Sequence, residues 1–94
     1  MILKGFKLSD HAKMIVVGEM LSYFYRHRDL DKEGKIADAL KQVEDMPYYK
    51  CLWLSYGRHW RAWKIGQELF CDAATANRNR KKLCAKIFDY LWKE

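Results

Sequence analysis

One proline, five glycines and three cysteines are all that the 94 residues hold of these types. So little proline and glycine, with almost no apolar/polar alternation, argues against a chain of short strands and tight turns and favours an all-helical class. Cys51, Cys71 and Cys84 are odd in number and form no C-x-x-C pair. That argues against the disulfide framework of a small secreted domain and for a reducing cytoplasm. Even with His59 added, their spacing matches no zinc pattern, so no metal is expected. Each cysteine lies in an apolar helical setting, as a small buried thiol does. No stretch approaches the roughly 20 apolar residues that span a bilayer, so no membrane partner is expected. Ile15-Val16-Val17 is too short, and too near Lys13 and Glu19, for a signal core. Paired carboxylates, a nucleophile–base set and a Gly-rich phosphate loop are missing too. These absences argue against an enzyme and against a bound cofactor.

Half of the residues are hydrophobic and 15% are aromatic, the composition of a folded core rather than a disordered tail. A chain of 94 residues has material for one domain and one modest core. Positive charge is spread unevenly. Residues 1–57 carry 9 Lys/Arg against 8 Asp/Glu, whereas residues 58–94 carry 9 against 4, so most of the net +6 sits in the C-terminal part. Clustered cations attract polyanions and bind them with strong salt dependence. The plain alternative is a solvated basic helix face.

In chain order, residues 1–8 read as an irregular lead-in, after which Ser9 or Asp10 can cap a helix running to about Arg28. Its apolar face is Met14, Val17, Leu21, Phe24 and Tyr25. Gly18 inside this helix costs about 1 kcal/mol relative to alanine, which suits a site of close approach by a neighbour. His11 and His27 read as surface or helix-end groups, His27 favoured by the negative end of the dipole. Asp29 or Asp31 caps a second helix over about 32–44 with Ile36, Leu40 and Val43 inward, and Met46-Pro47 ends it. A third helix over 48–56 places Tyr49, Leu52, Trp53 and Tyr56 on one face as core. Gly57 is suited to stop it in the left-handed conformation. The connection Arg58-His59-Trp60-Arg61 alternates cations and aromatics, which can touch phosphate or brace the loop.

Residues 60–92 organise the rest. An apolar repeat of Trp63, Ile65, Gly66 and Leu69 runs into Phe70 and Cys71. Asp72 follows as a helix N-cap, and then a stripe of Leu83, Ile87 and Leu91 marks a last helix. Two helices about a tight turn, the second opening with small residues and continuing into cations, suggest a helix-turn-helix. In such a unit the start of the second helix must be small enough to approach base edges, as Ala73 and Ala74 are. Its neighbours must offer hydrogen bonds, as Thr75, Asn77 and Arg78 do, with Arg suited to guanine and Asn to adenine. Lys81, Lys82 and Arg80, a turn further on, face phosphate or solvent. Arg61 and Lys64 can hold a phosphate at the groove edge. Arg80 is expected to cover core with its aliphatic stem.

Ile65-Gly66-x-x-Leu69 followed by Asp72-x-x-Thr75-Ala76-x-Arg78-x-Arg80-Lys81-Lys82-Leu83 resembles the helix-turn-helix of sigma-factor region 4. It is closer still to the small phage-encoded regulators of the RinA and ArpU type, which also place a Tyr-rich helix before the motif. The resemblance covers about the last 45 residues. It implies DNA binding in the control of phage genes, with double-stranded DNA as partner and RNA polymerase as a further contact. This chain departs from the pattern at Phe70, where the turn often has glycine, and at Asp72, where the cap is usually serine. It departs again at Ala76 and Asn79, where larger apolar residues often pack.

The expected architecture is therefore an all-α, compact bundle of about five helices forming one domain. Residues 1–57 serve as support or interaction part, and 58–94 as the DNA-binding part. The expected function is a DNA-binding transcriptional regulator, phage or mobile-element encoded, reading the major groove through Ala74, Thr75, Asn77, Arg78, Lys81 and Lys82, with Arg61 and Lys64 beside them. A homodimer would place two half-sites about one helical turn apart. The competing reading is a small interaction factor, a host-takeover protein or inhibitor that binds a protein rather than specific DNA. The two part on whether Asn77, Arg78 and Lys81 lie exposed on one face.

Overall fold

The computed structural model describes residues 8–31 and 34–92; the expected lead-in over 1–7 and the start of the second helix at 32–33 lie outside them. Every regular element among the described residues is helical, so the all-α expectation holds. The order is α1 (Asp10–Arg26), a 3-10 turn (Arg28–Leu30), α2 (Lys35–Lys41), α3 (Lys50–Leu52) running into a π-helical turn (Trp53–Gly57), α4 (Ala62–Leu69) and α5 (Ala73–Leu91).

Local chemistry sets the ends of these helices. Ser9 accepts the Ala12 N–H at 3.1 Å as the N-cap of α1, with Asp10 in the first turn and Arg26 in the last, each at the end its charge favours. The expected cap at Asp31 acts from further back. Gly34 occupies the cap position in a left-handed conformation, and the Asp31 carboxylate reaches past it to the N–H groups of Ile36 and Ala37, at 3.2 and 3.1 Å. The regular part of α2 is shorter than expected and dissolves into turns before Pro47. α5 starts at Asp72 and keeps its register for 19 residues.

α1 and α5 make the most extensive packing in the molecule, and α4 packs on α5. Val17 and Leu21 from α1 meet Leu83, Cys84 and Ile87 from α5, with Ala39, Leu40, Val43, Cys51, Leu52, Leu54, Ile65 and Ala76 in the same cluster. One core thus draws on both parts of the chain. A fully buried leucine or isoleucine such as Leu21, Leu52, Leu83 or Ile87 contributes about 1.5–3 kcal/mol by leaving water. Gly18 is a close-approach site, as expected: a Cβ there would lie 2.8 Å from a ring carbon of Tyr56, so the tyrosine can seat directly on α1.

Three expectations for the third helix are corrected. Its regular part begins at Lys50, because Tyr48 is left-handed with φ 65. Gly57 is not a left-handed stop. It lies within the π turn, and a Cβ there would meet Trp53 Cε3 at 2.1 Å, so the Trp53 ring can occupy its place only where that atom is absent. The wider turn also changes which side chains face inward. Leu54 is buried, whereas Trp53 is 38% exposed and lies edge-on to Tyr25 with centroids 5.1 Å apart.

Candidate nucleic-acid interface

The junction of α4 and α5 rests on one glycine and one aspartate. Phe70 leaves α4 in the left-handed conformation, φ 60 and ψ 44, and its N–H donates to the Gly66 carbonyl. The Cys71 N–H donates to the same carbonyl at 2.8 Å. These bonds fold the connection back over Gly66, where a Cβ would lie only 2.4 Å from the Cys71 carbonyl oxygen. Asp72 then turns extended and accepts the Thr75 N–H at 2.7 Å, starting α5. Hydrogen bonds from Thr75, side chain first and backbone second, hold the exposed Asp72 carboxyl below the usual carboxylate range.

At about 100° per residue, Ala74, Asn77, Arg78, Lys81 and Lys82 share one side of α5. Ala74, Asn77, Arg78 and Lys82 are exposed and Lys81 is half-buried. Asn77 and Arg78 therefore lie exposed together, with the half-buried Lys81 on the same side of the helix. The opposite side, through Ala76, Leu83, Cys84 and Ile87, is the core. Thr75 is half-buried and engaged locally: its hydroxyl oxygen accepts Arg78 Nη2 at 3.3 Å and its carbonyl accepts Asn79 Nδ2 at 2.9 Å. It serves to start the helix and to steady Arg78. Asn79, in a place where a larger apolar residue often packs, uses its amide on the helix backbone instead.

Arg61 is exposed at the N-cap of α4 and offers that helix no side-chain cap. A cation at a helix N-terminus is disfavoured by the dipole unless an anion lies beside it. Lys64 is exposed, with its ammonium 4.3 Å from the centroid of the Trp60 ring, and Arg58 lies 5.4 Å from the same ring. The backbone of Trp60 is held by its main-chain N–H, which donates to the Leu54 carbonyl at 2.9 Å. The connection thus braces the loop and gathers cations around one indole at once.

Two of the apolar side chains in and after the repeat face outward. Trp63 is 57% exposed and Phe70 96% exposed. In α4 only Ile65 and Gly66 are buried, with Leu69 half-buried, because eight residues present only a narrow inner stripe. Arg80 covers core with its stem, as expected, with its guanidinium 5.6 Å from the Tyr56 ring centroid. Sequence reasoning missed that it also donates to Ser55 Oγ and to Asn77 Oδ1, both at 3.1 Å. The three-residue spacing to Asn77 was visible in the sequence, but the contact with Ser55 crosses 25 positions.

Cys51 and Cys84 are buried and Cys71 is half-buried, all three as free thiols. Burial pushes the Cys51 thiol up to about 12 and that of Cys84 up to about 11. Among the described residues, no group of three or more His, Cys, Asp or Glu side chains could hold a metal ion, and no helix is long and apolar enough to cross a membrane. No protein-family model, curated protein or solved structure significantly matches this chain.

Proposed function

We propose that this chain is a DNA-binding transcriptional regulator in which α4, the connection 70–72 and α5 act as a helix-turn-helix. The observation that carries the reading is the open face of Ala74, Asn77, Arg78, Lys81 and Lys82 on the N-terminal half of α5. Its small first residue allows close approach to base edges, its middle residues offer directional hydrogen bonds, and its last residues offer charge. Arg61 and Lys64 at the start of α4 supply further phosphate contacts, and a phosphate beside Arg61 would relieve the unfavourable placing of that cation. The resemblance to phage regulators of the RinA and ArpU type agrees with this division of labour. On this reading the protein acts in a bacterial host cytoplasm, with RNA polymerase as a second partner and two-fold pairing as a way to read repeated half-sites.

The test is selection from a random duplex library, followed by titration of the enriched duplex with parent and Arg78→Ala protein. The substitution is expected to weaken binding by about 1–3 kcal/mol while the helical content stays unchanged. Equal affinity of both proteins for the enriched duplex would remove Arg78 from the reading set.

A second reading is favoured by the exposed aromatics. Trp63 on α4 and Phe70 just past its end are both exposed, and such side chains are enriched where proteins meet. An interaction factor that docks a protein through α4 would enrich no duplex above a scrambled control.

A further inference from the structure

Asn77 is the one amide on the open face of α5, and which end of it faces outward decides what it can read. We infer that Arg80 is a positioning residue that holds the Asn77 oxygen inward and leaves its NH2 as the group offered to a hydrogen-bond acceptor on a base. The inference rests on the DNA-binding reading above.

A guanidinium has donors and no acceptor, so only the Asn77 carbonyl oxygen can face it. The 3.1 Å bond from Arg80 Nη2 to Asn77 Oδ1 therefore fixes the sense of the amide by chemistry, not by fit alone. Arg80 is itself anchored. Its Nη1 donates to Ser55 Oγ at 3.1 Å, its guanidinium lies over Tyr56, and its Nε is buried with no protein acceptor. Tyr56 is in turn seated against Gly18 of α1. The orientation of one amide on α5 is thus referred back through the π turn to the first helix.

This changes the base that Asn77 suits. Pairing with adenine requires the amide to accept from N6 as well as donate to N7. Here the adenine amino group would have to share an oxygen already held by Arg80. Guanine presents acceptors alone, N7 and O6, and matches an outward NH2. Asn77 accordingly favours guanine over adenine at its position. Arg80, engaged inside the protein, does not act as a free phosphate ligand.

The test uses the duplex enriched by the full-length protein, with every base pair replaced in turn, titrated with parent, Arg80→Met, Asn77→Asp and Lys81→Met proteins. Arg80→Met keeps the stem over Tyr56 and removes the donors. Asn77→Asp keeps an oxygen for Arg80 and replaces the NH2 with an anionic oxygen, so every duplex is bound more weakly and the base preference, not the affinity, is what is compared. The parent is expected to prefer guanine at one position by about tenfold, and both Arg80→Met and Asn77→Asp to reduce that preference to within about twofold. Lys81→Met is expected to weaken all duplexes alike and leave the preference intact. Side-chain amide relaxation of the free protein gives a reading that needs no DNA: the Asn77 NH2 should be ordered in the parent and mobile in Arg80→Met. Retained guanine preference in Asn77→Asp, or an amide equally ordered with and without Arg80, would overturn the positioning role while leaving DNA binding standing. Equal affinity of the parent for every duplex would overturn the DNA reading and this inference with it.

Discussion

Replacing Gly66 with alanine probes the junction on which the whole C-terminal unit depends. In the interior of a helix this change ordinarily stabilises by about 1 kcal/mol, because alanine is the better helix former. At Gly66 the new Cβ would lie 2.4 Å from the Cys71 carbonyl oxygen, 3.1 Å from the Asp72 carbonyl carbon and 3.3 Å from its oxygen. All three are backbone atoms, so no rotamer change relieves the clash; the connection must move by most of an ångström. Moving it strains the bonds that Phe70 and Cys71 donate to the Gly66 carbonyl. Overpacking of this kind costs about 1–3 kcal/mol, and the loosened bonds add about 1 kcal/mol. Set against the gain in propensity, a net destabilisation of about 1–3 kcal/mol follows, or a fall in Tm of about 4–8 °C for each kcal/mol in a domain of this size. Thermal and urea unfolding followed by far-ultraviolet circular dichroism measure it. Gly18→Ala is the internal comparison, because its Cβ would meet only the movable ring of Tyr56, and it should cost less. A Gly66→Ala protein as stable as the parent, or more so, would refute the claim that close backbone approach fixes how α4 meets α5.

Phe70→Gly should stabilise by about 0.5–1 kcal/mol in urea unfolding, since it relieves a left-handed non-glycine residue whose exposed ring buries almost nothing. Asp72→Ala should lower the melting temperature at neutral pH. The depressed Asp72 pKa means the cap stabilises above the unfolded carboxyl's value and is lost as pH falls through the folded one, so parent and variant melts should converge in acid. Cys51 and Cys84 should resist alkylation in the native protein at pH 8, with Cys71 labelled first in a mass-spectrometric time course, because burial keeps the first two as thiols. The same two shifts are upward, so their contribution to stability is present below the ordinary thiol value of 9.0 and declines as pH rises above it towards about 12 for Cys51.

The helices were legible in the sequence where a cap and an apolar stripe coincide. Ser9 with Val17 and Leu21 marked α1, and Asp72 with Leu83 and Ile87 marked α5. Both signals are local, and both held. The third helix was misread because α-periodicity cannot foresee a π turn. Gly57, read as a stop signal, instead leaves room for the Trp53 ring within the turn. The apolar repeat did not tell which of its members point inward, and so short a helix has room inside for little beyond Ile65, Gly66 and Leu69. The face of Ala74, Asn77, Arg78, Lys81 and Lys82 was legible as a set, because i, i+3 and i+4 spacing defines it. What the spacing could not convey was that Arg80 ties Ser55 to Asn77, or that Thr75 is already engaged by Asp72 and Arg78.

The most direct measurement of the central claim is affinity for the enriched duplex and for a scrambled one at 50 and 200 mM salt. If Arg61, Lys64, Arg78, Lys81 and Lys82 each neutralise one phosphate, log affinity falls with log salt at a slope of about −4.5, a loss of about 500-fold between those conditions. Fewer engaged cations give a proportionally shallower slope. The account predicts a steep slope together with at least tenfold tighter binding to the enriched duplex at both salts. Equal affinity for the two duplexes, or affinity that does not change with salt, would contradict it.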